Sequence, residues 1–395
     1  MPSPTALSAD IEIPSGNACI LGIETASAVP EVHFAASAQG GPEAIWFHLR
    51  IRPGNPAPKT VRCVLRAFDT LLGNLPGAPV DGFHPVFRTE RRDWTRCTRI
   101  QRLEEIDGQI QAAWDVPGDE GEIRTALCFP YTMIDLESLL NETGGFWEQA
   151  TIGVSDRNRP LPRLYNQPGT DGSENPGIFC LARQHAAETP GSWVLDGFLR
   201  RMADLGDRAP LVWAVPFADI DGVHDGRAGK DAYPWDFNRS WGSKLFPENR
   251  YDEFGSHPMR QEVKCIQHDM LRWKKRCRPL LVLDFHAPVM RDASGIFCFL
   301  RDLDEAGQPD PKHAPWVRVI EAEIDPAMRS ERFSRSGRYP SRWSRARLGD
   351  YVNRALELPM LTIETPYACS PHMIFTRDDY RQAGAAIANA MMQQI

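Results

Sequence analysis

"RPLLVLDFH", residues 278–286, runs without a polar break from Leu280 to Leu283 and then exits into Asp284, Phe285 and His286. A strand with one wet face alternates apolar and polar residues, so an unbroken run of this length predicts a strand covered on both faces. "PLVWAV" (210–215) and "LPMLTIET" (358–365) repeat the form, and "GIFCLARQH" (177–185) is a shorter version of it. Between these runs, "ETPGSWVLDGFLRRMADL" (188–205) places Val194, Phe198, Met202 and Leu205 at helical spacing. The chain closes on "TRDDYRQAGAAIANAMMQQI" (376–395), where Thr376 and Asp379 form a capping box ahead of an apolar stripe. The alternation predicts an α/β domain: a mixed central sheet with helices on both faces.

Upstream the period changes. "IWFHLRIR" (45–52) alternates through Ile45, Phe47, Leu49 and Ile51; "TVRCVLRA" (60–67) and "EIRTALCF" (122–129) repeat the pattern. No long helical pattern interrupts them, so this part reads as an all-β antiparallel sandwich. The expected division is a β-sandwich domain over 1–140 and an α/β domain over 141–395, in keeping with a chain of 395 residues, too long for one core.

The formal net charge of −7 argues against a broad nucleic-acid or anionic-membrane surface. Nine cysteines without a C-x-x-C pair read as reduced thiols. Cys180 and Cys369 have no base partner in sequence and read as packing residues. "MPSPTALSADIEIPSG" at the start has neither a basic segment nor an apolar run of anchoring length. The expected setting is cytoplasmic.

The chemistry falls where apolar strands end, the edge at which α/β sheets collect ligands. His185 and Glu188 form H-x-x-E just past one strand and can converge on one metal. His286 ends a second strand and could be the third ligand. Glu364 ends a third, where a carboxylate can serve as general base. "DFNRSW" (236–241) adds Asp236, able to fix the tautomer of His185, with Asn238 and Arg239, able to hold a carboxylate. Each motif alone is weak; their coincidence at strand ends suggests a His2Glu zinc hydrolase.

"HAAE" (185–188), "DIDG" (219–222), "DFNRSW" (236–241), "DFH" (284–286) and "TIETPY" (362–367) stand in the order found in carboxypeptidase A-like zinc peptidases. The chain resembles most the cytosolic carboxypeptidase branch, in which a β-sandwich precedes the catalytic domain; "WFHLRI" and "CFPYTMIDLESLL" are similar to that domain and its junction. The resemblance implies one Zn2+ ion held by His185, Glu188 and His286, with Glu364 passing a proton from the attacking water to the leaving amine. It implies that Asn238 and Arg239 grip the terminal carboxylate of a peptide or protein tail. The family's oxyanion cation would be Lys230 or Arg227, the former preferred. Its mobile tyrosine would be Tyr339, with Tyr351 the alternative.

The Arg-rich stretch "RSERFSRSGRYPSRWSRAR" (329–347) reads either as a rim for acidic C-terminal residues or as a solvated loop. A metallocarboxypeptidase is the expected function. A zinc amidase for N-acyl amino acids or peptidoglycan fragments, and a non-catalytic binding module, are the alternatives. No nucleic-acid or membrane partner is expected, and a homo-oligomer is left open.

Overall fold

The computed structural model describes residues 6–71, 74, 80–106, 109–230, 236–242, 260–300, 303–304, 307–337 and 346–395. Among the described residues ten strands precede residue 127: β1 (Ser8–Asp10), β2 (Cys19–Glu24), β3 (Glu31–Ala35), β4 (His48–Arg52), β5 (Thr60–Leu65), β6 (Val86–Arg88), β7 (Thr95–Arg96), β8 (Gln101–Ile106), β9 (Gln109–Pro117) and β10 (Ile123–Ala126). They form two five-stranded sheets, ordered β1-β4-β10-β6-β7 and β2-β3-β5-β9-β8. All pairs are antiparallel except β3 with β5, which run side by side in the same direction.

The alternation seen in sequence is the inward face of these sheets. Leu49 and Ile51 on β4, and Val61, Cys63 and Leu65 on β5, are fully buried. Phe34 of β3, Phe47 just ahead of β4 and Trp114 of β9 meet with ring centroids 5.3–5.9 Å apart. The Trp114 indole donates to Thr125 of β10 in the facing sheet at 3.3 Å, so the buried polar atom also joins the two layers.

Helix α1 (Met133–Glu142) starts at a capping box made by Thr132 and Asp135. The second half follows as β11 (Glu148–Val154), β12 (Pro160–Tyr165), β13 (Pro176–Ala182), α2 (Thr189–Leu205), β14 (Leu211–Val215), α3 (Ile220–Asp225) and α4 (Gln261–Arg276). It continues with β15 (Arg278–His286), β16 (Ile296–Leu300), α5 (Ala314–Glu323), β17 (Arg329–Ser336), β18 (Met360–Glu364) and α6 (Arg377–Met392). The eight-stranded sheet has the order β11-β12-β14-β13-β15-β18-β16-β17. Its four central strands, β14, β13, β15 and β18, are parallel, and antiparallel pairs flank them at β12–β14 and β16–β18.

The three continuous apolar runs of the sequence are β14, β15 and β18, the shorter "GIFCL" run is β13, and every residue of β14 is buried. Helix α6 begins at the expected Thr376/Asp379 capping box. It packs on α2 at Gly384, where a Cβ would stand 1.9 Å from the Val194 carbonyl oxygen, so only glycine admits this approach. Strand β13 lies between β14 on one side and β15 on the other, and the crevice beyond its C-terminal end is the switch point where such sheets bind ligands. All nine cysteines are thiols. Among the described residues no helix is long and apolar enough to cross a membrane.

Candidate active site

Parallel pairing of β15 with β18 sets His286 opposite Glu364, each the last residue of its strand. β13 ends beside them, and the turn that follows carries Arg183, Gln184 and His185 into α2, whose N-cap is Glu188. The turn is strained: Arg183 has φ of 62°, unusual for a residue with a side chain. The buried Arg183 guanidinium offsets this by donating to the carbonyls of Ala186 and Tyr131 and to Ser192 Oγ.

His185, Glu188 and His286 each offer a ligand atom within 4.8 Å of the others. Glu188 Oε1 lies 2.7 Å from His185 Nδ1 and its Oε2 lies 2.6 Å from His286 Nδ1. The far ring nitrogens face other carboxylates: His185 Nε2 is 3.0 Å from Asp236 Oδ1, and His286 Nε2 is 2.9 Å from Asp284 Oδ2. With Nε2–H donated outward, each Nδ1 carries the lone pair turned inward, the arrangement that orients metal-ligating imidazoles. Gln184 Nε2 donates to the same Asp284 oxygen at 2.7 Å, and its Oε1 accepts from Trp241 at 2.7 Å.

The donor set fits a divalent cation. Four buried carboxylates, Glu188, Asp236, Asp284 and Glu364, surround two imidazoles. Burial pulls the His286 pKa down, but Asp284 and Glu188 outweigh it and hold it well above the usual histidine range; Glu188 and Asp236 do the same, less strongly, to His185. Burial works to raise Glu188, yet the two imidazoles drive it well below the ordinary carboxylate range. Such excess of inward-facing negative charge and lone pairs is what a metal balances.

Glu364 differs from Glu188. Burial pushes its pKa up to about 8, and its Oε2 has no hydrogen-bond partner among the described residues. An acceptor kept dry and unsatisfied beside a metal-ligand set is poised to take a proton.

These groups open into a cavity of about 600 Å³ whose wall also includes Lys230, Asn238, Arg239 and Tyr367. Arg239 is buried; its Nη1 donates to the Asn238 carbonyl at 2.9 Å and lies 3.6 Å from Asp236 Oδ2. Asn238 Oδ1 accepts from the Leu348 amide at 2.9 Å, which fixes the side-chain amide at the cavity wall. Lys230 Nζ is 3.3 Å from Glu43 Oε2. Burial works to lower its pKa, but Asp236, Glu43 and Glu188 outweigh this and keep the ammonium charged. Gly229 has φ of 93°, and a Cβ there would stand 2.3 Å from the Ala186 amide, so glycine lets this loop lie on the His185 turn.

Of the two candidate cations, Lys230 lines the cavity and Arg227 does not; Arg227 Nε points to Asp225 Oδ2 at 3.4 Å. Tyr339 lies outside the described residues. Tyr351 is 1% exposed, with its ring 5.9 Å from Trp241, and packs in the core. The sequence reading did not single out Asp284, Gln184 or Glu43. Asp284 was the accessible one, since residues two apart on a strand share a face and "DFH" shows the pair. Arg335 and Arg347, from the Arg-rich stretch, both line the cavity.

A search of protein-family models finds no match to this chain. Mouse cytosolic carboxypeptidase 6 is 30% identical over 129 residues, 29% of this chain and 24% of that protein, so the match spans about a quarter of the relative's length. A metallo-carboxypeptidase from Burkholderia cenocepacia superposes with a TM-score of 0.73 over 98% of both chains at 17% identity. One from Pseudomonas aeruginosa, solved with (2-guanidinoethylmercapto)succinic acid, gives 0.69 over 98% of both chains at 16% identity. This chain has the metallo-carboxypeptidase fold. The two N-terminal sheets are included in the likeness, because the alignment runs nearly end to end.

Proposed function

We propose that the protein is a zinc metallocarboxypeptidase that removes the C-terminal residue of a peptide or protein tail. We also propose that the N-terminal sheets form a domain over 1–140, with the catalytic domain over 141–395. The observation that carries the reading is the buried His185–Glu188–His286 cluster with the unsatisfied Glu364 carboxylate beside it.

His185 and His286 would ligate through Nδ1, and Glu188 through its carboxylate; two nitrogens and a carboxylate suit zinc. A zinc ion bound there supplies Lewis acidity, which acidifies water and polarises the scissile carbonyl. Glu364 takes the proton of the attacking water and returns it to the departing amine. Lys230 faces the carbonyl oxygen as it becomes anionic, a preorganised charge of the kind that contributes most to acyl-transfer catalysis. Arg239 and the Asn238 amide hold the free α-carboxylate of the substrate, which places the last peptide bond at the base. The Pseudomonas aeruginosa protein was solved with a succinic acid derivative, and a carboxylate-bearing ligand is consistent with such a grip.

An acidic C-terminal residue is favoured on the same reading. Arg335 is fixed by Asp292 at 3.2 Å and Ser330 Oγ at 2.8 Å, with its guanidinium 3.6 Å over the Phe297 ring. Arg347 is anchored to the Gly337 carbonyl. Two rigid guanidinium groups on one cavity wall suit a side-chain carboxylate. The likeness to cytosolic carboxypeptidase 6 also supports a cytosolic setting.

The test is elemental analysis of the purified protein together with release assays on peptides that differ in the last residue. The expected result is about one zinc per chain and single-residue release that is lost on chelation and restored by zinc. Release is fastest from Glu or Asp ends and absent from C-terminally amidated peptides. Turnover of amidated ends or of internal bonds would overturn the carboxypeptidase reading.

A further inference from the structure

Lys230 reaches the cavity on a loop that the N-terminal sheets grip from outside. Asn17, bridged to His48 at the head of β4, donates through Nδ2 to the Gly226 carbonyl at 2.7 Å. Gln39 Nε2 donates to the Asp225 carbonyl at 3.1 Å. Glu43 then enters the cavity itself, with Oε2 3.3 Å from Lys230 Nζ and the residue only 7% exposed. Ile45, two residues further, is buried and lines the same cavity. The elements before residue 50 thus hold both the backbone that carries Lys230 and the ammonium at its tip.

A buried carboxylate is costly unless paired, and Glu43 sits where its partner is the cation that faces the reacting carbonyl. A lysine stem has four rotatable carbons, and an ammonium left to roam would have to be ordered during each turnover. Pairing it with a carboxylate on a separate rigid layer meets that ordering cost in folding, so the charge is in place before the reaction begins. The sandwich side is rigid at this point: Trp46, between Glu43 and β4, is 2% exposed and donates to the Ser15 carbonyl at 2.8 Å.

We propose that Glu43 is a positioning residue, through which the N-terminal sandwich holds the Lys230 ammonium where negative charge develops on the scissile carbonyl oxygen. The inference rests on the role given above to Lys230. It makes the sandwich part of the catalytic apparatus. The interaction matters in the transition state and little in the ground state, so its loss falls on kcat rather than KM.

The test uses the full-length zinc-loaded chain and the variants Glu43→Gln, Glu43→Asp, Lys230→Met and Glu43→Gln/Lys230→Met. Glu43→Gln is expected to lower kcat about 10- to 100-fold, the range for partners that orient a catalytic group, with KM within about twofold and zinc content unchanged. Glu43→Asp recovers part of the loss. The double variant is no slower than Lys230→Met alone, because a positioning residue has no effect once its target is gone.

A second readout needs no turnover: calorimetric affinity for a phosphinic pseudopeptide with a free C-terminal carboxylate, which carries a tetrahedral anionic centre. It should fall in Glu43→Gln by the same factor as kcat. The proposal is overturned if Glu43→Gln matches wild type in kcat and phosphinate affinity, or if it slows the Lys230→Met protein as much as the wild type. A loss that appears as raised KM with a lowered melting temperature also overturns it, since Glu43 would then only join the two layers. A wild type that neither binds the phosphinate nor releases a residue sinks the peptidase reading and this inference with it. A wild type that does both while Glu43→Gln is silent sinks this inference alone.

Discussion

Glu364 and Glu188 are both 8% exposed, yet their surroundings drive them in opposite directions. Glu188 lies 2.7 and 2.6 Å from the two imidazoles and accepts from the Ala287 amide, so its negative form is stabilised. Glu364 has desolvation without that compensation and is pushed up to about 8. Removing its ability to ionise should therefore separate chemistry from structure. Glu364→Gln is expected to lower kcat by about 10²- to 10⁴-fold, the range for general acid–base catalysis, while zinc content holds and the melting temperature does not fall, because an unsatisfied buried acid has been replaced by an amide. Single-turnover kinetics and calorimetry check the two halves; an active Glu364→Gln protein would remove Glu364 from the mechanism. His48 shows the same physics away from the site. Burial, with Arg124 and Arg88 nearby, lowers its pKa to about 3. The folded state then holds His48 neutral while the unfolded chain protonates near 6.5, so the unfolded state binds more protons between those values. Stability from this group is complete above pH 6.5 and is lost as pH falls toward 3. Denaturant unfolding of wild type should lose about 2–3 kcal/mol between pH 7 and 4.5 through this residue alone, a difference that His48→Gln abolishes. Equal acid sensitivity of the two proteins would show that His48 is not the group responsible.

At the scale of elements, the site is a consequence of register. Parallel pairing puts Asp284 beside Thr362 and His286 beside Glu364, so that two neighbouring strand ends bring together the proposed ligand, the carboxylate that faces its far nitrogen and the proposed base. Asp284→Asn keeps the shape of β15 but weakens the hold on the His286 tautomer. Zinc affinity, measured by competition with a chromophoric chelator, is expected to fall about 10- to 100-fold; unchanged affinity would mean that Gln184 and the strand suffice to orient the ring. The same geometry explains what was legible beforehand. Continuous apolar runs marked β14, β15 and β18 because a strand covered on both faces has no polar position to spare, and their exits located His286 and Glu364. β11, β12 and β17 were missed, being edge or near-edge strands with mixed patterns such as "RSERFSRS", and β16, "IFCFL", was missed although it is an apolar run, because it is only five residues long. Helix α4, with Lys274, Lys275 and Arg276 in its last turn, was missed because its apolar stripe is narrow among charges. Lys230 and Arg227 could not be separated in sequence. Both follow α3 in a glycine-punctuated loop, and only its docking on the Ala186 amide turns one side chain inward. Glu43 was beyond reach, since nothing local records a partner 187 positions later.

Across the whole molecule, the two N-terminal sheets and the eight-stranded sheet share a buried seam, and Arg96 makes several bonds across it. From β7 it donates to the Phe375 carbonyl at 2.9 Å, the Tyr367 carbonyl at 2.6 Å, the Tyr380 hydroxyl at 2.8 Å and the His84 carbonyl at 2.7 Å. Its guanidinium also lies 4.5 Å from the centroid of the Phe129 ring. Two of the acceptors belong to the segment just beyond β18, and Tyr367 also lines the active-site cavity, so the seam runs from the sandwich to the wall of the site. Arg96→Met keeps most of the packing volume and removes every one of these donors; the Tyr367 carbonyl keeps the Tyr380 hydroxyl at 2.7 Å, but the Phe375 and His84 carbonyls lose the guanidinium. A buried acceptor left unsatisfied costs about 1–3 kcal/mol, and with these two affected at once the loss should reach about 2 kcal/mol or more. A lower urea midpoint with an unchanged slope is the expected result, since the same surface is still exposed on unfolding. If the halves instead fold independently, the catalytic sheet would unfold at its wild-type midpoint while only the sandwich signal moved. That outcome would contradict a shared seam. Because the Tyr367 segment relaxes along with the seam, Arg96→Met should also raise KM for peptide at temperatures well below unfolding, whereas Glu43→Gln leaves KM alone. The two substitutions therefore distinguish the sandwich as support for the cavity wall from the sandwich as holder of the catalytic ammonium.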